Sequence, residues 1–286
     1  MYVRVDGIRL YVDVEGAGLV PDGPRMREKP TLVVLHGGPG IDHTMFKPAF
    51  STLADIAQIV YVDHRGNGRS EDGDPDDWTL ARWGDDVRGL CDALGIDRPI
   101  VFGASFGGYV AQAYATRHPD HPGRLILAST LAKFEIEAVL AAFERIGGEH
   151  ARAVAEVYWR DPTPERRVAY IEACLPLYNA RPASSGLLRR CRIRHDVAMR
   201  FNGPSNEQGR MDFRADLARL RCPVLVMAGD RDPMTPLACS ETLVASLPPG
   251  LARFERFAGC GHSLAGDDPD RMMAVIRDFI VAAAAG

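Results

Sequence analysis

The chain has 286 residues, of which 46% are hydrophobic and 25% charged, the usage of an ordinary globular protein, so a disordered or collagen-like chain is excluded. Its 34 basic and 38 acidic residues leave a net charge of −4, and the lack of a basic excess speaks against a nucleic-acid partner. No apolar run reaches the ~18 residues of a membrane span.

Residues 2–6 and 8–15 alternate apolar and polar around Asp6-Gly7, which predicts a hairpin. This opening carries Asp6, Asp13 and Glu15 where a secretory leader needs an apolar block. Residues 16–30 are rich in Gly and Pro and are expected as a loop. Continuous apolar runs then recur at Thr31–Leu35, Ile59–Val62, Pro99–Phe102, Leu125–Leu127 and Val224–Met227, the signature of strands covered on both faces of a parallel sheet. Helical patterns lie between them. One follows Leu80, Trp83, Val87, Leu90, Cys91 and Leu94, and another runs from Ser105 to Arg117. Near the end, Asp268-Pro269 predicts an N-cap and first turn ahead of Met272, Ile276, Phe279 and Ile280. Strand and helix in alternation make the class α/β, a mostly parallel twisted sheet flanked by helices.

Residues 133–213 break that rhythm. Phe134–Ile146, Glu149–Tyr158, Pro164–Leu175 and Ser185–Met199 are all helical in pattern, with no buried-strand run among them. About 80 residues exceed an ordinary crossover. The segment predicts a helical cap, residues 133–213, inserted into a core of residues 1–132 and 214–286. The small residues of 282–286 are expected to fray.

The chemistry-bearing motifs all follow predicted strands, on the side where open α/β sheets bind ligands. Gly103-Ala104-Ser105-Phe106-Gly107 is a G-x-S-x-G pentapeptide after one strand and before a helix. Its small residues permit a tight turn that lifts the Ser105 hydroxyl above the sheet as a nucleophile. His36-Gly37-Gly38-Pro39-Gly40 follows the first buried strand. Its glycines would let the Gly38 N–H approach an oxyanion, with the Phe106 N–H as second donor, while His36 braces the loop. Residues 63–70, DHRGNGRS, hold Asp, His and Arg, and a braced turn is the expectation there. Asp230 and Asp232 compete to orient a histidine, and His262 stands in the glycine-flanked loop GCGHS. The order Ser, Asp, His is the one this architecture requires. The six cysteines, at 91, 174, 191, 222, 239 and 260, form no C-x-x-C pair, so a reducing, cytoplasmic setting is expected and no metal knuckle.

Taken together, HGGPG, DHRGNGRS, GASFG, GDRDPMTP and GCGHS resemble the α/β-hydrolase superfamily, and within it the proline iminopeptidase (prolyl aminopeptidase) group. The resemblance spans the whole chain and is weakest in residues 133–213. It implies the α/β-hydrolase fold, with Asp232, the acid before the Met-Thr-Pro segment, as the catalytic acid beside Ser105 and His262. The oxyanion donors then correspond to Gly38 and Phe106. Members of this group hold the substrate's free amine with acidic residues at the cap–core boundary. By that resemblance the segment Asn202-Gly203-Pro204-Ser205-Asn206-Glu207 offers Glu207 as a substrate-binding carboxylate, whereas the acid that follows the catalytic Asp in one such enzyme is replaced by Pro233. Epoxide hydrolases and dehalogenases share the H-G-x-P-G region but use an Asp nucleophile, against which Ser105 argues.

The expected reaction is therefore acyl transfer through an acyl-enzyme, without metal or organic cofactor, on a small molecule or short peptide and away from membranes. Cleavage of small N-terminal residues, with Glu207 pairing the ammonium, is the leading reading. A carboxylesterase or lactonase acting on uncharged substrates is the alternative, favoured by Pro233 and by the apolar cap residues Phe134, Trp159 and Leu175, with Trp159 as a candidate substrate contact. A C–C hydrolase ranks below both. A binding protein on this scaffold ranks lowest, since Ser105, Asp232 and His262 are all retained. Oligomeric state is not legible.

Overall fold

The computed structural model describes residues 1–181, 187–203 and 205–282. Strands β1 (Tyr2–Val5) and β2 (Ile8–Glu15) form the expected hairpin, with Tyr2 opposite Tyr11. Asp6 and Gly7 both take positive φ, 43° and 83°, which matches the right-handed twist of the strands they join. Residues 16–30 are not only loop: β3 (Leu19–Asp22) and β4 (Arg25–Glu28) pair across Gly23. Every residue of β4 is exposed, so no buried face imposes the alternation that would have revealed it.

The five buried runs become β5 (Thr31–Leu35), β6 (Gln58–Val62), β7 (Ile100–Ala104), β8 (Arg124–Ala128) and β9 (Val224–Gly229), and a sixth strand, β10 (Ala252–Phe257), is mostly half-buried. These six are parallel, β2 joins them antiparallel to β6, and the eight-stranded sheet has the order β1-β2-β6-β5-β7-β8-β9-β10. The helices are α1 (Leu80–Leu94) and α2 (Phe106–Arg117). Between β8 and β9 come α3 (Ile136–Arg160), α4 (Pro164–Ala173), α5 (Leu187–Arg190), α6 (His195–Asn202), α7 (Glu207–Arg210) and α8 (Arg214–Leu217). After β9 come α9 (Leu237–Ala245), α10 (Leu264–Asp267) and α11 (Pro269–Val281).

Because both faces of a parallel sheet are covered, both sets of alternating side chains are apolar. Val33, Leu35, Val60, Val62 and Val101 pack with Trp83, Val87, Leu90 and Tyr109 of α1 and α2. Leu32, Val34, Ile59, Tyr61 and Phe102 pack with Phe50 and with Ile276 and Phe279 of α11. Pro269 opens α11 as expected, but the Asp268 side chain makes no capping bond; Ser263 caps α10 instead, accepting from Gly266 N.

In the 133–213 segment, two predicted helices are halves of α3, interrupted at Gly148 (φ 75°, ψ −175°). Of the pattern over 185–199, the first two residues lie outside the described ones, and the rest forms two helices, α5 and α6, with a break between them. Lys133 and Asp212 pair in an isolated antiparallel bridge, which draws the two ends of the segment together. Val139, Leu140, Phe143, Tyr158 and Tyr170 form a third apolar cluster that reaches Met234 of the sheet domain. The predicted frayed tail lies, beyond residue 282, outside the described residues. Among the described residues no helix is long and apolar enough to cross a membrane.

Candidate active site

Ser105 stands between β7 and α2 with φ 53° and ψ −120°. A non-glycine residue holds such a conformation only where its surroundings impose it. Here the strand and helix are pressed together: a Cβ at Gly103 would lie 2.2 Å from the Gly107 carbonyl oxygen, and one at Gly107 would lie 2.2 Å from that of Leu35. Ser105 N donates to Ala128 O at 3.0 Å, and the Thr130 hydroxyl donates to Ser105 O at 3.0 Å, fixing the turn to β8 and its exit. The first N–H groups of α2, beginning at Phe106, have no carbonyl partner within the helix, as at any helix start, and carry its positive end.

His262 Nδ1 lies 2.8 Å from Asp232 Oδ2. Asp232 is buried, and burial opposes its ionisation. The charge and hydrogen bond of His262, with the side-chain and backbone hydrogen bonds of Thr235, outweigh burial and hold the carboxyl below its usual range. Its Oδ1 accepts from Met234 N and Thr235 N, both at 2.8 Å, and its Oδ2 from the Thr235 hydroxyl at 2.5 Å. An ionised Asp232 accepts only, so a neutral His262 carries its proton on Nδ1 and presents a lone pair at Nε2. Asp230 plays another part: its Oδ1 accepts from Gly259 N at 2.8 Å, closing the loop ahead of the histidine.

The glycine loop after β5 passes beside the serine; a Cβ on Gly37 would be 3.6 Å from that of Ser105. Gly38 takes φ 116°, a conformation that favours glycine. Below it, His36 is fully buried, and burial lowers its imidazole's affinity for a proton against the pull of Asp63. Its Nε2 accepts from His64 N at 3.2 Å, so Nδ1 carries the proton and donates to Gly37 O at 2.7 Å. His36 thus ties the loop to the turn after β6 and faces away from proton transfer. His64, 4.4 Å from it between ring centroids, is also buried and held well below its ordinary range, first by burial and then by His36.

Residues 63–70 form a brace. Arg65 donates to Asp86 of α1 at 2.9 and 2.7 Å, while its carbonyl accepts from Trp83 Nε1 and Asn67 Nδ2. Asn67 Oδ1 in turn accepts from Gly40 N at 2.7 Å. Asp42, His43 and Asp63 bring three potential metal-ligating atoms within 4.8 Å of one another. Their chemistry is that of an ion-pair cluster: the Arg69 guanidinium lies 2.9 Å from Asp42 and 3.7 Å from Asp63, and His43 Nδ1 lies 2.6 Å from Asp63. A cation already occupies that role.

Glu207 is not a free carboxylate. Its Oε2 accepts from Leu80 N, the first N–H of α1, at 3.0 Å, and its Oε1 from Arg210 at 2.8 Å. Each oxygen thus accepts one bond, and the bond to Leu80 N is a helix-capping contact. Trp159 lines a cavity of about 180 Å³ with Phe134, Ile136, Asn202 and Gln208. It packs against Phe134 and Tyr158 at centroid distances of 5.2 and 4.9 Å. A larger groove of about 610 Å³, lined by Arg88, Ile96, Arg117 and His121, is not part of this site. Its residues lead into β7 and β8, at the amino ends of the strands, whereas Ser105 follows the carboxyl end of β7.

Two contacts escaped the sequence reading. Tyr178 sets its ring edge-on to His262 at 5.0 Å, and its carbonyl accepts from His262 N at 2.5 Å. Asp267 accepts from Gly261 N at 2.7 Å. Neither carries a motif.

Residues 30–269 match the family model of the α/β-hydrolase fold. The chain is 30% identical to a putative carbamate hydrolase, RutD, of Caulobacter sp. (strain K31), over 98% of each chain. It is 26% identical to the proline iminopeptidase PfmaB of Pestalotiopsis fici, covering 94% of this chain and 98% of that one. Among solved structures it superimposes on a thermophilic esterase from Thermogutta terrifontis with a TM-score of 0.71 and 25% identity, over 99% of this chain and 98% of the other. The chain belongs to the α/β-hydrolase family and is a hydrolase resembling the proline iminopeptidase group.

Proposed function

For this α/β-hydrolase we propose Ser–His–Asp acyl transfer on a small, uncharged ester or carbamate, with water as the final acceptor. The observation that carries it is the hydrogen bond of 2.8 Å between His262 Nδ1 and Asp232, at the same sheet end as a serine held at φ 53°. Ser105 Oγ attacks the carbonyl carbon while His262 Nε2 takes its proton. The oxyanion is held by the N–H groups of Gly38 and Phe106. His262 then gives the proton to the leaving group as the acyl-enzyme forms. Water, deprotonated by the same nitrogen, attacks that intermediate, the bond to Ser105 Oγ breaks, and His262 returns the proton to Oγ as the acid leaves. Asp232 fixes the tautomer and stabilises the imidazolium. These steps use no metal or organic cofactor.

We read residues 133–213 as a cap that shapes the acyl site, with Trp159 on its wall. An uncharged substrate is favoured because Glu207 already shares its charge with Arg210 and the amino end of α1, and Pro233 supplies no second acid. The likeness to proline iminopeptidases supports the second reading, an aminopeptidase. The lack of any C-x-x-C spacing among the six cysteines is in keeping with a cytoplasmic setting.

Paired kinetics on p-nitrophenyl butyrate and prolyl-p-nitroanilide, with wild type and Ser105→Ala, test both. Ester turnover that falls at least about 1,000-fold in Ser105→Ala, with little anilide turnover, is the expected result. Wild-type activity in Ser105→Ala would overturn the nucleophile. Anilide turnover blocked by N-acetylating the substrate would replace the ester reading with the aminopeptidase one.

A further inference from the structure

Asp267 ends α10, five residues beyond His262, and its side chain is buried at 2% exposure. A buried carboxylate is tolerated only when its oxygens are hydrogen-bonded. Asp267 meets that demand with three backbone N–H groups. Its Oδ2 accepts from Gly261 at 2.7 Å and Ala180 at 3.0 Å, and its Oδ1 accepts from Arg181 at 3.0 Å. Gly261 directly precedes the histidine, whereas Ala180 and Arg181 belong to the helical insertion. A fourth bond runs the same way, from His262 N to Tyr178 O at 2.5 Å. The two segments are so close that a Cβ on Gly261 would lie 2.3 Å from Tyr178 O. One carboxylate therefore joins the loop that carries the histidine to the chain of residues 178–181.

We propose that Asp267 is a positioning residue that makes the placement of His262 depend on the seating of residues 178–181. Tyr178 ends a single 3-10 turn (Leu175–Tyr178), the rest of both segments is irregular backbone, and no sheet ladder pairs one with the other. The carboxylate supplies that register, reading Gly261 with one oxygen and the insertion with both. When residues 178–181 leave their seat, Gly261 and His262 N lose partners together, and the imidazole loses its alignment with Ser105. Cap closure and activation of the nucleophile then become a single event. This rests on His262 being the general base.

Asp267→Asn tests it. The amide has one accepting oxygen, so it can serve the Gly261 and Ala180 pair or the Arg181 N–H, not all three. With p-nitrophenyl butyrate, kcat should fall at least about tenfold while KM stays within about twofold, the pattern of a misplaced general base. The rate of fluorophosphonate labelling of Ser105 should fall in step, and the low-field proton signal of the His262–Asp232 bond should shift or broaden. An unchanged kcat per folded molecule, whatever the melting temperature, would overturn the proposal. Should the variant fail to fold, hydrogen exchange on wild type decides. The amides of Ala180, Arg181 and Gly261 should open with one common free energy, and much faster exchange at 180 and 181 than at 261 would refute the link. Ser105→Ala and His262→Asn separate the two readings: activity retained in them removes the triad, whereas activity lost in them and kept in Asp267→Asn removes only this proposal.

Discussion

Acid should loosen the support of the glycine loop before it unfolds the chain, and His64 makes the effect measurable. Burial, then the neighbouring His36, holds the His64 imidazole well below its ordinary range. In the unfolded chain the ring returns to about 6.5. With the folded value depressed, the unfolded state binds more protons at acid pH. The stability from keeping the ring neutral is thus fully present above about pH 6.5 and is lost as pH falls. For a ring that stays neutral in the fold, the loss between pH 7.5 and 5.5 is about 1.4 kcal/mol. His64→Phe keeps a ring edge-on to Phe106, where the centroids now lie 5.5 Å apart. It also removes Nε2, a buried nitrogen with no hydrogen-bond partner. Urea titrations of both proteins at the two pH values give four stabilities. The other titrating groups cancel in the difference, so wild type should lose about 1.4 kcal/mol more than the variant. Equal losses would show that His64 is protonated in the folded protein, and the neutral brace under the loop would be wrong.

Glu207→Gln should lower stability by about 1 kcal/mol through the start of α1 and leave ester kcat/KM unchanged. A selective loss of free-amine turnover at constant melting temperature would restore the ammonium clamp. Arg65→Met strands the buried Asp86 and should cost about 3–5 kcal/mol by chemical denaturation. Adding Asp86→Leu should recover most of it, and a double variant no better than the single would mean that Arg65 acts through other contacts.

The parallel strands were legible because burial on both faces leaves long apolar runs, as in Thr31–Leu35 and Val224–Gly229. The hairpin of β3 and β4 was not, because a fully exposed β4 imprints no pattern. The same division holds in the site. Ser105 is announced by the glycines whose missing side chains let strand and helix touch. Asp232 and Asp230 are alike in residue type; the resemblance singled out Asp232, and in space one turns to His262 and the other to Gly259. Glu207 sat in a suggestive segment, yet no local pattern showed that the amino end of α1, 127 residues earlier in the chain, would take its oxygen.

One kind of side chain, histidine, does three jobs here, and burial and partners choose among them. His36 accepts from a backbone N–H and donates to a carbonyl, so its proton is spent on structure. His64 is buried with an idle nitrogen and contributes by staying neutral. His262 has one nitrogen engaged by an ionised carboxylate, which leaves the other with its lone pair toward the site. A general base needs that asymmetry, one nitrogen fixed and one open. Of these three rings only His262 combines it with a backbone pinned from the insertion side, through Tyr178 O and through Asp267 by way of Gly261. With His262 as the proposed base, such a joint between sheet and insertion would let substrate bound on the insertion side also set the group that takes its proton.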